Sequence, residues 1–304
     1  MASAASDWPA LPLEAWRDTY ATLHRVAQIV GKVRLALAPH INHWWQATFY
    51  VDARGLTTSA MPYGERVLEI RFDFLDHAIV FETSDGSVRR LPLGPRPVAD
   101  YYAEILGTLR SLGRPVEIWR MPVEIPDPVP FDEDRVHASY DPEMAQRFWR
   151  ILGRVARGLQ EFRTGFIGKC SPVQLFWGAL DLACTRFSGR RAPERPGADR
   201  IQREGYSHEV WSAGFWPGTP GASDAAFYAY AVPEPGGFST SRVEPADARY
   251  DPTFKEFLLP YESVRRAPSP ETELRRFLET TYAAGADLGK WDRGALEAAG
   301  PPRR

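Results

Sequence analysis

Residues 168–189 read G-K-C-S-P-V-Q-L-F-W-G-A-L-D-L-A-C-T-R-F-S-G, and the rest of the chain can be read outward from them. The middle of this run is apolar and holds one carboxylate, Asp181, among small residues. Lys169 and Arg186 stand towards its two ends. Such a stretch predicts a strand. Side chains alternate across a strand, so one face would carry Trp177, Ala179, Asp181 and Ala183. The other would carry Phe176, Gly178, Leu180, Leu182 and Cys184. An earlier stretch, Gly31 to Val51, reads as a weaker copy whose matching face is Trp45, Ala47, Phe49 and Val51. Asp181 then stands where the copy has phenylalanine.

Upstream of the copy, Trp16, Tyr20, Leu23, Val26 and Val30 recur at helical spacing within Leu13 to Leu37, and Pro39 discourages continuation. His43 to Val51 is expected to be a strand from its aromatic and β-branched content, with a second strand over Leu56 to Tyr63. Arg66 to Phe74 sets Leu68, Ile70, Phe72 and Phe74 against Val67, Glu69, Arg71 and Asp73, a half-buried strand. Ala78 to Thr83 is its partner, and Ser84-Asp85-Gly86-Ser87 turns the chain into Val88 to Leu93. Pro97 to Leu112 is an amphipathic helix closed by Gly113. Val116 to Ile125 is read as a further strand.

Spaced prolines and acidic residues make 121–141 an extended connector between a first unit (13–120) and a second (142–297). Residues 1–12 are a loose lead-in and 298–304 a frayed tail. The second unit opens on a helix with Asp141 as N-cap and Pro142 at its first position. The focal strand and an Arg-, Pro- and Gly-rich loop (189–205) come next. Strands are expected at His208 to Trp216, Ala225 to Val232 and Phe257 to Val264. Ser269-Pro270-Glu271 begins the last helix.

The halves share more than element order. Trp16-Arg17 and Trp149-Arg150 each open a helix that runs to Val30-Gly31-Lys32 and Ile167-Gly168-Lys169. A proline and Trp44-Trp45-Gln46-Ala47 or Phe176-Trp177-Gly178-Ala179 follow, and Pro97 and Pro270 each precede the closing helix. The expected fold class is therefore α+β. It is an internally duplicated helix–antiparallel strands–helix unit, pseudo-two-fold, whose large antiparallel sheet or sheets carry helices on one side. Element order alone likens this to saddle and tandem-barrel folds, an analogy that carries no function.

Four segments are the most distinctive: P-V-E-I-P-D-P-V-P-F-D-E-D-R-V-H-A-S-Y-D (122–141), F-I-G-K-C-S-P-V (166–173), F-W-G-A-L-D-L-A-C-T-R-F-S-G-R-R-A-P (176–193) and Y-S-H-E-V-W-S-A-G-F-W-P-G (206–218). Together they resemble a bacterial family of uncharacterised proteins held as a domain of unknown function, over nearly the whole chain. The resemblance implies a bacterial, cytoplasmic, single-unit protein and carries over no activity, cofactor or catalytic residue.

Composition narrows the function classes. With 304 residues, 44% hydrophobic and 25% charged, the chain can bury a substantial core. A net charge of −2 gives no global basic field to draw it to nucleic acid or anionic lipid. No apolar run approaches the roughly 18 residues that span a bilayer, and Met1 to Trp8 lacks a signal-peptide pattern. The expectations are a cytoplasmic location, no membrane partner and little room for a nucleic-acid partner. Two cysteines, Cys170 and Cys184, are too few for a disulfide scaffold. Ten tryptophans imply aromatic clusters or a stacking pocket.

Asp181, flanked by alanines on a Trp-bearing face, has space beside it. Burial without a cation would raise its pKa, which is how general acids and bases are made. A structural Asp paired with Arg186, or capping a neighbouring backbone, fits the same residues. His208, at the head of the next strand, is the candidate titrating partner. Lys169 and Arg186 are candidate anion contacts, and Trp177, Trp45, Trp211, His43 and His137 candidate ligand-lining residues. Metal-site spacings such as H-x-x-x-H and C-x-x-C are absent, as are dinucleotide and phosphate-loop patterns, so neither metal nor cofactor is expected. Three functions remain. The first is a small-molecule protein, either a binder or a metal-independent acid/base enzyme, that takes an anionic ligand in an aromatic pocket between the two units. The second is a non-catalytic protein-interaction module, and the third a saddle-like nucleic-acid binder. Oligomeric state is left open.

Overall fold

Residues 8–219 and 223–298 are described by a computed structural model. Of the lead-in 1–12, residues 1–7 lie outside the described residues, as does the tail after Ala298, while Trp8 and Leu11 are buried in the core and are not loose. Helix α1 (Leu13–Leu37) is followed by β1 (Tyr50–Val51), β2 (Gly55–Thr57), β3 (Met61–Tyr63), β4 (Arg66–Asp73), β5 (Ala78–Thr83) and β6 (Val88–Pro92). Helix α2 (Val98–Ser111) closes this half. The strands form one antiparallel sheet in the order β1-β2-β4-β5-β6, with β3 also on β4.

Helix α3 (Pro142–Arg163) opens the second half. It is followed by β7 (Gln174–Phe176), β8 (Asp181–Arg191), α4 (Arg200–Gly205), β9 (His208–Trp216) and β10 (Ala226–Val232). Next come β11 (Arg249–Asp251), β12 (Glu256–Pro260), α5 (Tyr261–Arg266), α6 (Pro270–Leu288) and α7 (Arg293–Leu296). Their sheet runs β11-β12-β10-β9-β8-β7. The fold class is α+β. Paired backbone bonds between Phe49 and Leu175, 2.9 and 2.8 Å, stitch the two sheets together at their edges.

Helix α1 runs through the middle of this assembly. Leu23, Val26, Ile29, Val30 and Val33 are buried, each worth about 1.5–3 kcal/mol of transfer free energy. Its polar residues are buried too, so each needs a partner. His24 Nε2 donates to the Gly178 carbonyl at 2.7 Å, and Gln28 exchanges two bonds with the Val123 backbone. Arg25 lies 3.3 Å from the buried Asp134 carboxylate. The connector is thereby clamped to α1. Helix α3 starts where Asp141 accepts from the Glu143 and Met144 amides, a cap worth about 1 kcal/mol.

On the second sheet, α3 and α6 cover one face. Trp211, fully buried, meets Phe162 of α3 and Tyr282 of α6, each with ring centres 5.5 Å away. Ala213 and Phe215 share that face.

Six expected elements come out differently. Leu56 to Tyr63 is broken at Ser59, with φ 52°, into β2 and β3. The stretch 168–189 is a hairpin, not one strand: β7 ends at Phe176 and the chain turns through Leu180, with φ 56°, before β8. The turn forms because Trp177 inserts against α1. A Cβ on Gly31 would sit 2.5 Å from the indole, so only glycine admits it. His43 to Val51 is mostly a 3-10 segment, with left-handed His43 and Trp44 (both φ 61°) and only Tyr50 and Val51 in a strand. Val116 to Ile125 forms no strand; its Val123 amide and carbonyl go to Gln28 instead of a ladder. Phe257 to Val264 is strand only to Pro260 and helix from Tyr261. The loop expected at 189–205 holds the end of β8 and all of α4, whose N-cap is Asp199.

Candidate functional site

The face of the second sheet turned away from α3 and α6 is where polar groups collect. In β10, Tyr228 and Tyr230 point to one face and Phe227, Ala229 and Ala231 to the other. Tyr228 lies opposite Gly214 of β9 and Leu258 of β12, and Gly214 lies opposite Ala183 of β8. Asp181 and Glu256, two residues before Ala183 and Leu258, therefore share the face of Tyr228.

Gly214 makes the central contact possible. A methyl there would lie 2.7 Å from the Tyr228 hydroxyl oxygen, so the ring crosses β9 over bare backbone. The Tyr228 O–H then donates to Asp181 Oδ2. Tyr230 stacks on Tyr228 with ring centres 6.1 Å apart and shares a 3.0 Å hydrogen bond with the Tyr206 hydroxyl.

Beside these residues is a cavity of about 230 Å³. Asp181, Glu256, Tyr228 and Tyr230 line its polar side, while Trp216, Phe254 and Ala179 complete it. Phe254 is 52% exposed and meets Trp216 edge-on, an aromatic rim. Burial pushes the Asp181 carboxyl up to about 6; the Tyr228 hydrogen bond opposes this and the charge of Glu124 adds to it. Burial, with the charges of Asp181 and Asp251, pushes Glu256 up to about 7. Burial also raises Glu124. Tyr228 is raised well above the usual phenol range, by burial and then by Asp181, and stays a hydrogen-bond donor. Among the described residues no lysine or arginine bonds either pocket carboxyl. No group of three or more His, Cys, Asp or Glu among them is placed to hold a metal ion.

Residues 8–298 match the model of a family of unknown function, DUF5996. The chain belongs to that family. No curated protein and no solved structure matches it. Among the described residues of this DUF5996 chain, no helix is long and apolar enough to cross a membrane.

The other residues singled out in the DUF5996 sequence fall elsewhere. His208 pairs with Arg191 at the far end of β8, whereas Asp181 is next to the Leu182–Phe215 pair. Eight residues of β9 separate those ends, roughly 25 Å at about 3.3 Å each. His208 is thus not a partner of Asp181. Arg186 is on the opposite, helix-covered face, where its guanidinium lies 3.5 Å from the Phe162 ring centre. Trp211 is buried on that face, and Trp177 is packed against α1, its indole N–H donating to the Ala47 carbonyl. His137 Nδ1 is 2.8 Å from Asp134 Oδ2, part of the connector clamp.

Four of the expected residues do meet, at a second place. Lys169 Nζ is 2.6 Å from His43 Nε2, the His43 and His208 rings are 5.8 Å apart, and Lys169 lies over Trp45 and Phe187. His43 Nδ1 is 3.2 Å from the Glu204 and Gly205 carbonyls, so it donates there and Nε2 accepts from Lys169. His43 is lowered by burial and by the Lys169 charge, and His208 by burial, Lys169 and Arg191.

Tyr228, Glu256, Trp216 and Glu124 are not among the residues the sequence marks out. The signal for Tyr228 is A-F-Y-A-Y-A-V (226–232), which puts two phenols on one strand face. Gly214, a glycine inside a strand, signals close approach of another group.

Proposed function

We propose that this protein binds a small organic cation, such as a protonated amine, in the Asp181–Glu256 pocket. The observation that carries the reading is two carboxyls facing one aromatic-walled cavity with, among the described residues, no lysine or arginine bonded to either. Buried like charges destabilise one another, and a bound ammonium relieves both at once. Trp216, Phe254 and the phenol rings supply π faces for the same charge. The cation replaces the anion expected from sequence, because Lys169 and Arg186 stand away from this pocket. The test is a thermal-shift and calorimetric screen of primary and quaternary amines against carboxylates of equal size. Amines should raise the melting temperature at about pH 8 and lose the effect near pH 5, where both carboxyls are protonated. Stabilisation by carboxylates, or amine binding unchanged in an Asp181→Asn/Glu256→Gln variant, would refute it.

A second reading has its own support. A carboxyl poised at about 7, beside one at about 6 that accepts from a phenol, suits proton transfer to and from a bound molecule. In that reading Asp181, kept ionised by the Tyr228 hydrogen bond, is the base, and Glu256 is the acid. Deuterium uptake from solvent at a carbon of a bound amine, lost in Asp181→Asn, is the expected sign. No uptake with any amine that binds would leave simple binding.

A further inference from the structure

The two cysteines stand outside the pocket, and the fold brings them together. Segment 169–171 runs antiparallel beside β8: Ser171 N bonds Thr185 O at 2.8 Å, and Phe187 N bonds Lys169 O at 3.0 Å. Cys170 therefore lies opposite Arg186, and Cys184, two residues before Arg186, shares the helix-covered face. Their sulfurs are 3.6 Å apart. Cys184 is buried and Cys170 is partly exposed.

Arg186, only 3% exposed, is held by aromatic rings rather than by a carboxylate. Its guanidinium is 3.5 Å from the Phe162 ring centre and 4.3 Å from that of Tyr282. It donates to the Phe162 carbonyl at 2.6 Å, and its Nε has no hydrogen-bond partner among the described residues. A guanidinium so placed lowers the cost of a thiolate beside it. Arg163 from α3 adds a second positive charge to the thiols, and Tyr282 of α6 and Glu297 face Arg186. The Cys170 thiol is held down to about 6, first by the hydrogen bond with Cys184 and then by Arg163 and Arg186 against the effect of burial; Cys184 is raised.

We propose that Cys170 and Cys184 form a peroxide-oxidisable dithiol, with Cys170 the attacking thiolate and Cys184 the resolving thiol. The Cys170 sulfur attacks one oxygen of a hydroperoxide. The O–O bond breaks, and the departing oxygen takes a proton and leaves as water or alcohol, with Cys170 left as the sulfenic acid. Cys184 then gives up its proton and attacks the Cys170 sulfur; the S–O bond breaks and the hydroxyl leaves as a second water. The two thiols lose two electrons and the peroxide gains them. A small dithiol returns the pair to its reduced form.

The reduced full-length chain, treated with about one equivalent of hydrogen peroxide near neutral pH, tests this by intact-mass and peptide mapping. The expected product is about 2 Da lighter, with the Cys170 and Cys184 peptides cross-linked and released by dithiothreitol. In Cys184→Ser, Cys170 should gain about 16 Da and react with dimedone. In Cys170→Ser, oxidation of Cys184 should be roughly tenfold slower or more. Wild-type chain that stays reduced, or that gains oxygen on either sulfur with no cross-link, overturns the proposal without any variant having to fold. Equal oxidation rates in Cys170→Ser and wild type do so as well.

Discussion

The outer faces of the two sheets handle carboxylates in opposite ways. On the first sheet, Arg71 reaches Asp52, Glu69 and Glu82 at 2.6, 3.1 and 3.2 Å, and Arg54 holds Asp73 and Asp76. Burial alone would raise Asp73, but Arg54 and the Leu75 and Asp76 amides outweigh it and its pKa is lowered. On the second sheet, Asp181 and Glu256 receive no such cation among the described residues, and both are raised. The first face is a finished ion network. The second holds charge in want of a partner, and a cavity stands where the partner would go. Perturbed carboxyls at a cavity are the pattern of a binding or reacting site, whereas paired ones hold structure.

Removing the unpaired charges should have the largest effect. In Asp181→Asn/Glu256→Gln, amine affinity measured by calorimetry is expected to fall roughly 100-fold, about 3 kcal/mol for two charge-assisted contacts. The melting temperature should hold or rise, because two uncompensated buried charges are gone. A collapse of the fold would show that these acids are structural, like those of the first sheet.

Gly214→Ala comes next. The new methyl would press on the Tyr228 ring and the Leu182 carbonyl, with an expected loss of about 2–3 kcal/mol in denaturant unfolding. Gly153→Ala in α3 is the control. Nothing lies within 4 Å of that position, so a change of at most about 1 kcal/mol, in the stabilising direction, is expected.

The pH dependence of stability separates the two faces more finely. Asp181 and Glu256 have folded pKa values above those of the unfolded chain, so the folded state binds more protons between about pH 4 and 7. Their cost to stability appears as pH rises through that window and is relieved as pH falls. Acidifying from about pH 8 to 5 should therefore stabilise wild type relative to the double variant by about 3–4 kcal/mol. His24 works the other way: burial pushes it down to about 4, so its contribution is lost as pH falls from about 6.5 towards that value. The wild-type minus variant difference cancels it. Denaturant midpoints across this range are the readout, and parallel curves would contradict the raised carboxyls.

The smallest effect belongs to the first sheet. Arg71→Met should cost about 1 kcal/mol or less, shrink further in high salt and leave amine binding unchanged.

Much of this fold could be read from residues alone. Helices α1, α2, α3 and α6 announce themselves by apolar spacing and by Pro142, Asp141 and Pro270 at their starts. Strand β4 does so by strict alternation. The failures share a cause, which is tertiary contact overriding local propensity. His43 and Trp44 look like strand residues, but His43 is drawn into a left-handed turn by Lys169, Phe187 and the Glu204 and Gly205 carbonyls. Trp177 and Gly178 look continuous with Asp181, but α1 pulls them into a turn. The sequence marks Asp181 by its small neighbours, but the cavity beside it is lined by the second unit alone and not by residues of both, as the sequence leads one to expect. Its companions Tyr228 and Glu256 come from strands 47 and 75 residues further on, and only the β8-β9-β10-β12 register brings them together.

Carboxyl carbon NMR reads the charge state of the Asp181 and Glu256 side chains directly. With Asp181→Asn and Glu256→Gln used to assign the signals, titration of the wild-type chain should show midpoints near 6 for Asp181 and near 7 for Glu256. Midpoints of about 4 for both, the ordinary carboxylate value, would mean that these acids are as well compensated as those of the first sheet, and the cation pocket would be ruled out.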